Sequence, residues 1–135
     1  MTMKLTSRSE YALLALIYLA RHPTDGYTSV ETIATAQEIP RKFLEQILLA
    51  LKRARYLRSS KGRHGGYLLS RPADEITLAE VIRLFDGALA PTESVSQYFY
   101  EATPIEREDG LIQVFQDVRD YISNKLESTT IADVC

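Results

Sequence analysis

Nine basic residues crowd into residues 41–71, a stretch whose only acid is Glu45. Basic side chains bind phosphates and the edges of nucleic-acid bases. The stretch has a net charge of +8, whereas residues 1–40 carry −1 and residues 72–135 carry −9. A cationic patch on an otherwise acidic chain favours a polyanionic ligand, and the alternative is an ordinary solvated surface. The nine bases are Arg41, Lys42, Lys52, Arg53, Arg55, Arg58, Lys61, Arg63 and Arg71.

Three residues of this stretch fall at the start of a predicted helix. Arg41 and Lys42 stand in its first turn, where a helix docked in the major groove first meets base edges and phosphates. Glu45 stands one turn later on the same side, where its carboxylate can accept a hydrogen bond from a cytosine amino group. Their types and spacing predict a recognition helix in which Arg41, Lys42 and Glu45 contact DNA.

A second group of basic residues occupies the tip of a predicted β-hairpin. Two short strands, residues 56–60 and 67–70, flank a loop whose glycines permit a tight turn. Lys61, Arg63 and His64 project from that loop. Side chains at such a tip reach a phosphate or an adjacent minor groove, so these three residues are predicted to contact DNA.

The helices that must position these side chains are predicted from caps and periodicity. A first helix begins at a cap on Ser7 or Ser9 and runs to about Arg21, and a second, short helix begins at Ser29. The third has Pro40 in its first turn, where a missing N–H costs nothing. Its apolar residues recur at the helical period and predict one buried stripe: Phe43, Leu44, Ile47, Leu48 and Leu51.

The C-terminal half contains two further predicted helices. A capping box from Thr77 to Glu80 opens the fourth helix, and Gly87 ends it. Residues 88–108 have no clear period, and a last amphipathic helix begins near Asp109 and continues for about five turns. The order of elements predicts a mainly α fold with a small β-hairpin wing, that is, a winged helix-turn-helix plus a long C-terminal dimerisation helix.

We therefore expect a DNA-binding domain over residues 1–87, a connecting loop over residues 88–108, and a dimerisation helix with a tail over residues 109–135. One helix-turn-helix covers a small footprint, so such proteins pair two copies on a palindrome. The last helix is the candidate for this homodimer, and the alternative is that it folds back on its own domain. Its predicted dimerisation residues are Leu111, Phe115, Val118, Ile122 and Leu126.

Length and composition exclude several classes of protein. A chain of 135 residues with 45% hydrophobic and 25% charged residues forms a single small globular unit. Its longest apolar run, residues 12–20, is too short for a membrane span, and we expect a cytoplasmic protein. His22 and His64 have no evident catalytic partner, so an enzyme is not expected.

Four segments in order resemble the Rrf-two (Rrf2) family of bacterial winged helix-turn-helix regulators, and a closing segment is similar to the end of that family. The resemblance implies a cytoplasmic, homodimeric transcription factor, expected to be a repressor of a palindromic operator. It places Arg41, Lys42 and Glu45 on the recognition helix and Lys61, Arg63 and His64 on the wing. The segments are residues 3–12 (MKLTSRSEYA), 43–47 (FLEQI), 65–69 (GGYLL), 76–82 (ITLAEVI) and 130–134 (TIADV).

The chain departs from the cluster-binding members of that family, which carry three cysteines before the dimerisation helix. Residues 88–108 have none, and Cys135 is the single cysteine of the sequence. Thiolates hold iron–sulfur clusters, so no cluster and no metal site are expected. A non-standard cluster using Glu10 or Cys135 is one alternative, although Glu10 is also an ordinary acid at a helix start.

Two further interpretations stay open. A winged helix can serve protein–protein contact alone, which an apolar or acidic recognition face would indicate, and Leu49 is the one residue that leans that way. The regulatory signal, a small molecule or a protein effector, is not identified by any motif. Tyr98, Phe99 and Tyr100 either shape an effector pocket or pack in the ordinary way.

Overall fold

The structure, a computed structural model, describes residues 4–135, so Met3 of the first motif lies outside the described residues, as do the first two residues of the expected DNA-binding domain. The described part is mainly helical with one antiparallel hairpin, which confirms the predicted fold class. Its α-helices are α1 (Ser7–Arg21), α2 (Val30–Gln37), α3 (Arg41–Arg53), α4 (Leu78–Asp86) and α5 (Asp109–Glu127). Its strands are β1 (Leu57–Ser60) and β2 (Gly66–Leu69).

The first helix is capped by Thr6, so the predicted cap at Ser7 or Ser9 is wrong. The Thr6 hydroxyl accepts a hydrogen bond from the Ser9 backbone N–H at 3.4 Å. Thr6 is itself held by Asp86 at the end of α4, to which its backbone N–H and hydroxyl donate at 3.1 and 2.5 Å. Ser9 points into the core and is fully buried, so it is not free to cap.

The second, third and fourth helices begin close to where the sequence predicts. Ser29 caps α2, and Thr77 and Glu80 form the capping box of α4, with Gly87 at its end. Pro40 is the residue before α3 rather than a member of its first turn, and its carbonyl accepts the Leu44 N–H at 2.9 Å. A shift of one residue at a helix end is within the range expected of frayed termini.

The core forms where the apolar faces of α1, α2 and α3 meet. Leu16, Ile33 and Leu48 have no exposed surface, which matches the stripe predicted for α3. Phe43, at the edge of that stripe, is 36% exposed and packs edge-on against Tyr11 with ring centroids 5.4 Å apart. Burial of this apolar area is the main stabilising term, and it fixes which face of α3 points outward.

The hairpin is attached to the helical core through a third backbone segment. β1 pairs with β2 in a register that sets Leu57 opposite Leu69, and Tyr67 of β2 also exchanges two backbone hydrogen bonds with Thr28 before α2, at 2.7 and 2.8 Å. Gly66 has a φ of +149°, and a Cβ atom there would collide with the Thr28 carbonyl. Glycine is therefore required where the wing meets the chain ahead of α2.

The C-terminal segment returns to the main helical core after α5. Ile122 and Leu126 pack against Ala79, Ile82 and Leu89, and Arg83 of α4 binds Glu127 at 2.6 Å. Beyond α5, the Ile131 N–H donates to the Ile76 carbonyl at 2.9 Å, and the Ile131 side chain is fully buried in the main core. Residue 131 thus completes the main core, which is formed by residues between 11 and 85, and the three-part division stays a prediction. Among residues 4–135, the helices are all too short or too polar to cross a membrane.

Candidate nucleic-acid interface

Helix α3 presents its polar side outward because its apolar side is buried in the core. Leu44, Ile47 and Leu51 are at most 1% exposed, which turns Lys42, Glu45 and Gln46 to the solvent. Its first turn also exposes Arg41, whose side chain is 59% accessible. The predicted recognition-helix residues therefore lie on one solvent-facing side of a rigid element.

An open groove of about 480 Å³ lies between α3, the wing and the start of α2. It brings together Arg41, Lys61 and Arg63, three of the six residues predicted to contact DNA. Lys52 joins them from the last turn of α3 and adds a fourth base. The lining residues are Ser29, Val30, Glu31, Arg41, Leu49, Lys52, Ser59, Ser60, Lys61, Gly62, Arg63, Gly65, Gly66 and Tyr67.

Lys52 and the serines of the groove were not assigned to DNA contact from the sequence. A signal for Lys52 was available, because eleven residues separate it from Arg41, close to three full helical turns at about 100° per residue. Both side chains therefore project from nearly the same side of α3. The three serines carry no such signal. Ser29 reaches the groove only because the pairing of Thr28 with Tyr67 brings the start of α2 to the wing, and Ser59 and Ser60 are uncharged residues of β1.

The remaining three predicted residues lie outside the groove lining but remain exposed. Lys42 and Glu45 lie on the outer side of α3, and His64 lies at the wing tip. Glu45 also acts on the groove indirectly, because burial and the nearby Glu45 carboxylate raise the pKa of Tyr67. The Tyr67 hydroxyl is protonated at neutral pH even at its ordinary pKa of 10.0, and it can donate a hydrogen bond.

Arg41 is held between two carboxylates. Its Nη1 lies 3.7 Å from Glu31 of α2, and its Nε donates to Oε1 of Glu45 at 3.3 Å. Glu45 is one turn further along the same helix, whereas Glu31 comes from the neighbouring helix. All three side chains are more than half exposed, so these pairs are screened by solvent and exchange readily with other acceptors.

Both ends of the wing are fixed to α4 by Glu80. Tyr56, just before β1, donates its hydroxyl to Oε1 of Glu80 at 3.0 Å, and Arg71, just after β2, donates from Nη1 at 3.1 Å. The Arg71 guanidinium also stacks 5.0 Å above the Tyr56 ring. Oε2 of Glu80 accepts the Thr77 N–H at 2.8 Å, which is half of the capping box.

The hydrogen bonds of this cluster determine the protonation of its members. Burial alone would raise the pKa of Glu80, but the bonds from Thr77, Tyr56 and Arg71 outweigh it and lower that pKa. Burial together with the bond to Glu80 raises the pKa of Tyr56. Burial alone would lower the pKa of Arg71, but Glu80 outweighs that effect and raises it. The charged pair and the neutral phenol are therefore stable at neutral pH.

The five residues predicted for dimerisation divide between two faces of α5. Ile122 and Leu126 pack within their own chain, as the alternative interpretation of this helix expects, and Phe115 is half-buried. Leu111 and Val118 are exposed, by 42% and 41%, together with Val114 and Tyr121, which are not among the five predicted dimerisation residues. The spacing 111, 114, 118 and 121 spans about 80° of the helix surface, so the signal for this second face was present in the sequence.

The candidate metal ligands lie apart from one another. Glu10 is exposed on α1, and the exposed Cys135 donates its thiol to the Ile131 carbonyl at 3.1 Å. In the described part of the chain, His, Cys, Asp and Glu residues do not gather in groups of three or more that could hold a metal ion. The cleft beside Tyr98 and Phe99 has essentially no interior volume, so an effector pocket there stays a prediction.

The sequence and structure match known regulators over nearly the whole chain. A family model described as Rrf2, an iron-dependent transcriptional regulator, matches residues 5–135. Over 136 residues the chain is 36% identical to Rv1287 of Mycobacterium tuberculosis, whose name is that of an HTH-type transcriptional regulator. That match covers 98% of this chain and 81% of the relative.

Solved structures of two regulators share the fold. CymR of Bacillus subtilis, described as a global cysteine regulator, matches with a TM-score of 0.78 and 30% identity over 98% of this chain and 95% of that one. IscR of T. potens matches with a TM-score of 0.74 and 26% identity over 98% and 85%.

Proposed function

Since the chain belongs to the Rrf2 family of DNA-binding transcriptional regulators, we propose that it acts as a homodimeric repressor on a palindromic operator. The groove between α3 and the wing is the observation that carries this proposal. It sets Arg41, Lys52, Lys61 and Arg63 around one concave surface beside the exposed face of a helix. That combination suits a duplex, since α3 can enter the major groove while the wing meets the flanking backbone.

The roles of the six predicted residues follow from their positions. Lys42 and Glu45, on the outer side of α3, read base edges, and Arg41 reads a base or a phosphate at the start of the helix. Lys61, Arg63 and His64 bind the backbone or the adjacent minor groove from the wing. Lys52 adds a phosphate contact from the last turn of α3.

The composition of the groove favours DNA over a protein ligand. A face for protein–protein contact alone would be apolar or acidic. Among the described residues that line this groove, four are basic and one, Glu31, is acidic. Leu49 is 39% exposed and lines the same surface, where its side chain suits contact with a thymine methyl group. A regulator of this kind acts in the cytoplasm, where its DNA is, and needs no catalytic machinery.

A second copy of the chain is the proposed partner of α5. Leu111, Val114, Val118 and Tyr121 form an apolar strip that is exposed on the single chain. Two such strips facing each other across a two-fold axis would bury this surface and place two copies of α3 in successive major grooves. Ile122 and Leu126 would support the interface by fixing α5 to α4.

The residues present do not fit an iron–sulfur cluster, although the family model is described as iron-dependent. Cluster iron is held by several thiolates, and the sequence has the single cysteine Cys135, whose thiol is bonded to a backbone carbonyl. Glu10 lies on α1 at an exposed position without a cysteine partner on its own element. We propose that the signal is a small molecule or a protein effector instead.

The salt dependence of DNA binding tests the proposed surface. The logarithm of the binding constant falls with the logarithm of salt concentration by about 0.9 for each phosphate neutralised. The proposed dimer carries two copies of each residue, so replacing Lys61 and Arg63 with Ala should remove up to four phosphate contacts, reduce that slope by up to about 3.6 and weaken binding to any duplex. The matched control is the double replacement of Arg21 and Arg107 with Ala, two exposed bases that do not line the groove. Equal slopes for the wing variant and the wild type would refute the proposed surface.

A further inference from the structure

Glu31 is the one acidic side chain among the described residues that line the groove. It stands in the first turn of α2, 77% exposed, and its Oε2 lies 3.7 Å from Nη1 of Arg41. The other lining residues with charge are Arg41, Lys52, Lys61 and Arg63. A carboxylate at this place opposes the approach of a phosphate, so its presence calls for an explanation.

The contacts of Arg41 indicate what this carboxylate does. A guanidinium binds phosphate or guanine through the same N–H groups that bind carboxylates. In the free chain Nη1 lies 3.7 Å from Glu31, an ion pair without a hydrogen bond, and Nε donates a hydrogen bond to Glu45. The two carboxylates attract the guanidinium towards α2 and along α3, so a DNA acceptor that draws Arg41 outward acts against both attractions. Glu45 belongs to α3 and moves with Arg41, whereas Glu31 belongs to α2 and ties the guanidinium back to the wall of the groove.

We infer that Glu31 is a positioning residue that competes with DNA for Arg41 and thereby lowers the affinity of the protein for DNA without a specific site. This inference rests on the proposed DNA-binding function of the groove. On a duplex of arbitrary sequence, attraction to Glu31 lowers the fraction of complexes in which Arg41 contacts a phosphate. A stronger acceptor, such as the two-acceptor edge of a guanine, outcompetes the carboxylate and draws Arg41 away from α2.

The variant Glu31→Gln tests this competition, and the exposed position of Glu31 makes the change compatible with folding. Without the carboxylate, Arg41 is free to bind a phosphate on any duplex. Each of the two copies of Arg41 in the proposed dimer should contribute a gain of about 2- to 5-fold, the size expected for loss of one exposed ion pair, so the affinity for a random-sequence duplex should rise by about 4- to 25-fold. The salt slope should steepen by up to about 1.8 because the two copies of Arg41 in the dimer can neutralise two more phosphates. Asp25→Asn is the control of equal charge change, since Asp25 does not line the groove.

A double-mutant cycle with Arg41→Gln separates competition from simple repulsion. If Glu31 acts through Arg41, Glu31→Gln should have no effect on affinity or slope once Arg41 is Gln. A gain that persists in the Arg41→Gln background, or one no larger than that of Asp25→Asn, overturns the inference. Salt-dependent binding by the wild type would then still support the proposed function. A wild type that binds no duplex at low salt would overturn both.

Discussion

Removing the charge of Glu80 is expected to loosen the wing and destabilise the protein. The variant Glu80→Gln keeps the shape of the side chain and can still complete a capping box. It loses the carboxylate that accepts hydrogen bonds from the Tyr56 hydroxyl, Nη1 of Arg71 and the Thr77 N–H, at 3.0, 3.1 and 2.8 Å. Since Tyr56 and Arg71 stand at the two ends of the hairpin, the change acts on the whole wing.

The size of the effect follows from those three hydrogen bonds. Hydrogen bonds to a charged acceptor contribute about 1.5–3 kcal/mol, roughly twice the contribution of neutral ones. The side chains of Arg71 and Glu80 are 37% and 30% exposed, which screens their pair, and the amide oxygen of Gln can still accept at one of the two positions although its NH2 group cannot accept at the other. We expect a loss of about 1–2 kcal/mol in the free energy of unfolding, or a fall in Tm of about 4–8 °C for a chain of this size.

The same loss should depend on pH in a defined direction. The folded structure lowers the pKa of Glu80 from its ordinary value of 4.5, so the carboxylate adds stability at pH values above that value. The contribution disappears as the pH falls through the lowered pKa and the wild-type side chain takes up a proton. The difference in Tm between wild type and Glu80→Gln should therefore be full at about pH 7 and shrink towards about pH 3.

Thermal unfolding followed by circular dichroism measures both quantities. The control is Glu75→Gln, which removes the same charge from an exposed side chain five residues earlier while leaving the backbone carbonyl that Arg71 binds at 2.6 Å. It should change Tm little at any pH. The reasoning is refuted if Glu80→Gln is no less stable than this control, or if its deficit is the same at acid and neutral pH.

Two further predictions concern the dimer and the wing. Val118→Glu should give folded monomers in analytical ultracentrifugation, because Val118 is exposed on the apolar strip. The control Gln113→Glu, on the opposite side of α5, should leave the dimer intact. If Val118→Glu still forms dimers, the interface lies elsewhere. Gly66→Ala should lower the free energy of unfolding, measured with denaturant, by about 1–3 kcal/mol or more, because a Cβ atom there collides with the Thr28 carbonyl. In the control Gly26→Ala, the added Cβ atom meets nothing within 4 Å. Equal stabilities of the two variants would contradict the role given to Gly66.

Local patterns were sufficient to predict most of the fold. The stripe of α3, the cap at Ser29 and the capping box at Thr77 depend on residues a few positions apart, and all three are present in the structure. The cap of α1 was wrong because Thr6 is held by Asp86, 80 residues away, while Ser9 is drawn into the core. Contacts over such distances leave no periodic signal in the chain.

The candidate site also has parts that could be predicted from local sequence and parts that depend on tertiary contacts. The bases of α3 and the wing could be recognised from charge and order, but the groove that joins them also depends on the single pairing of Thr28 with Tyr67. Glu31 was not singled out, since its relevance appears only when α2 brings it next to Arg41. On α5 the period was seen, but one apolar stripe was assigned where the structure has two faces, because the packing of Ile122 and Leu126 on α4 is a tertiary contact.

Selection of bound sequences from a random duplex library tests the central claim most directly. A dimer that docks two copies of α3 in successive major grooves should enrich an inverted repeat whose half-sites lie about one helical turn, or 10–10.5 base pairs, apart. Two chains should bind each selected duplex. Enrichment of single, unpaired sites, or no enrichment at all from a folded wild-type protein, would contradict the account.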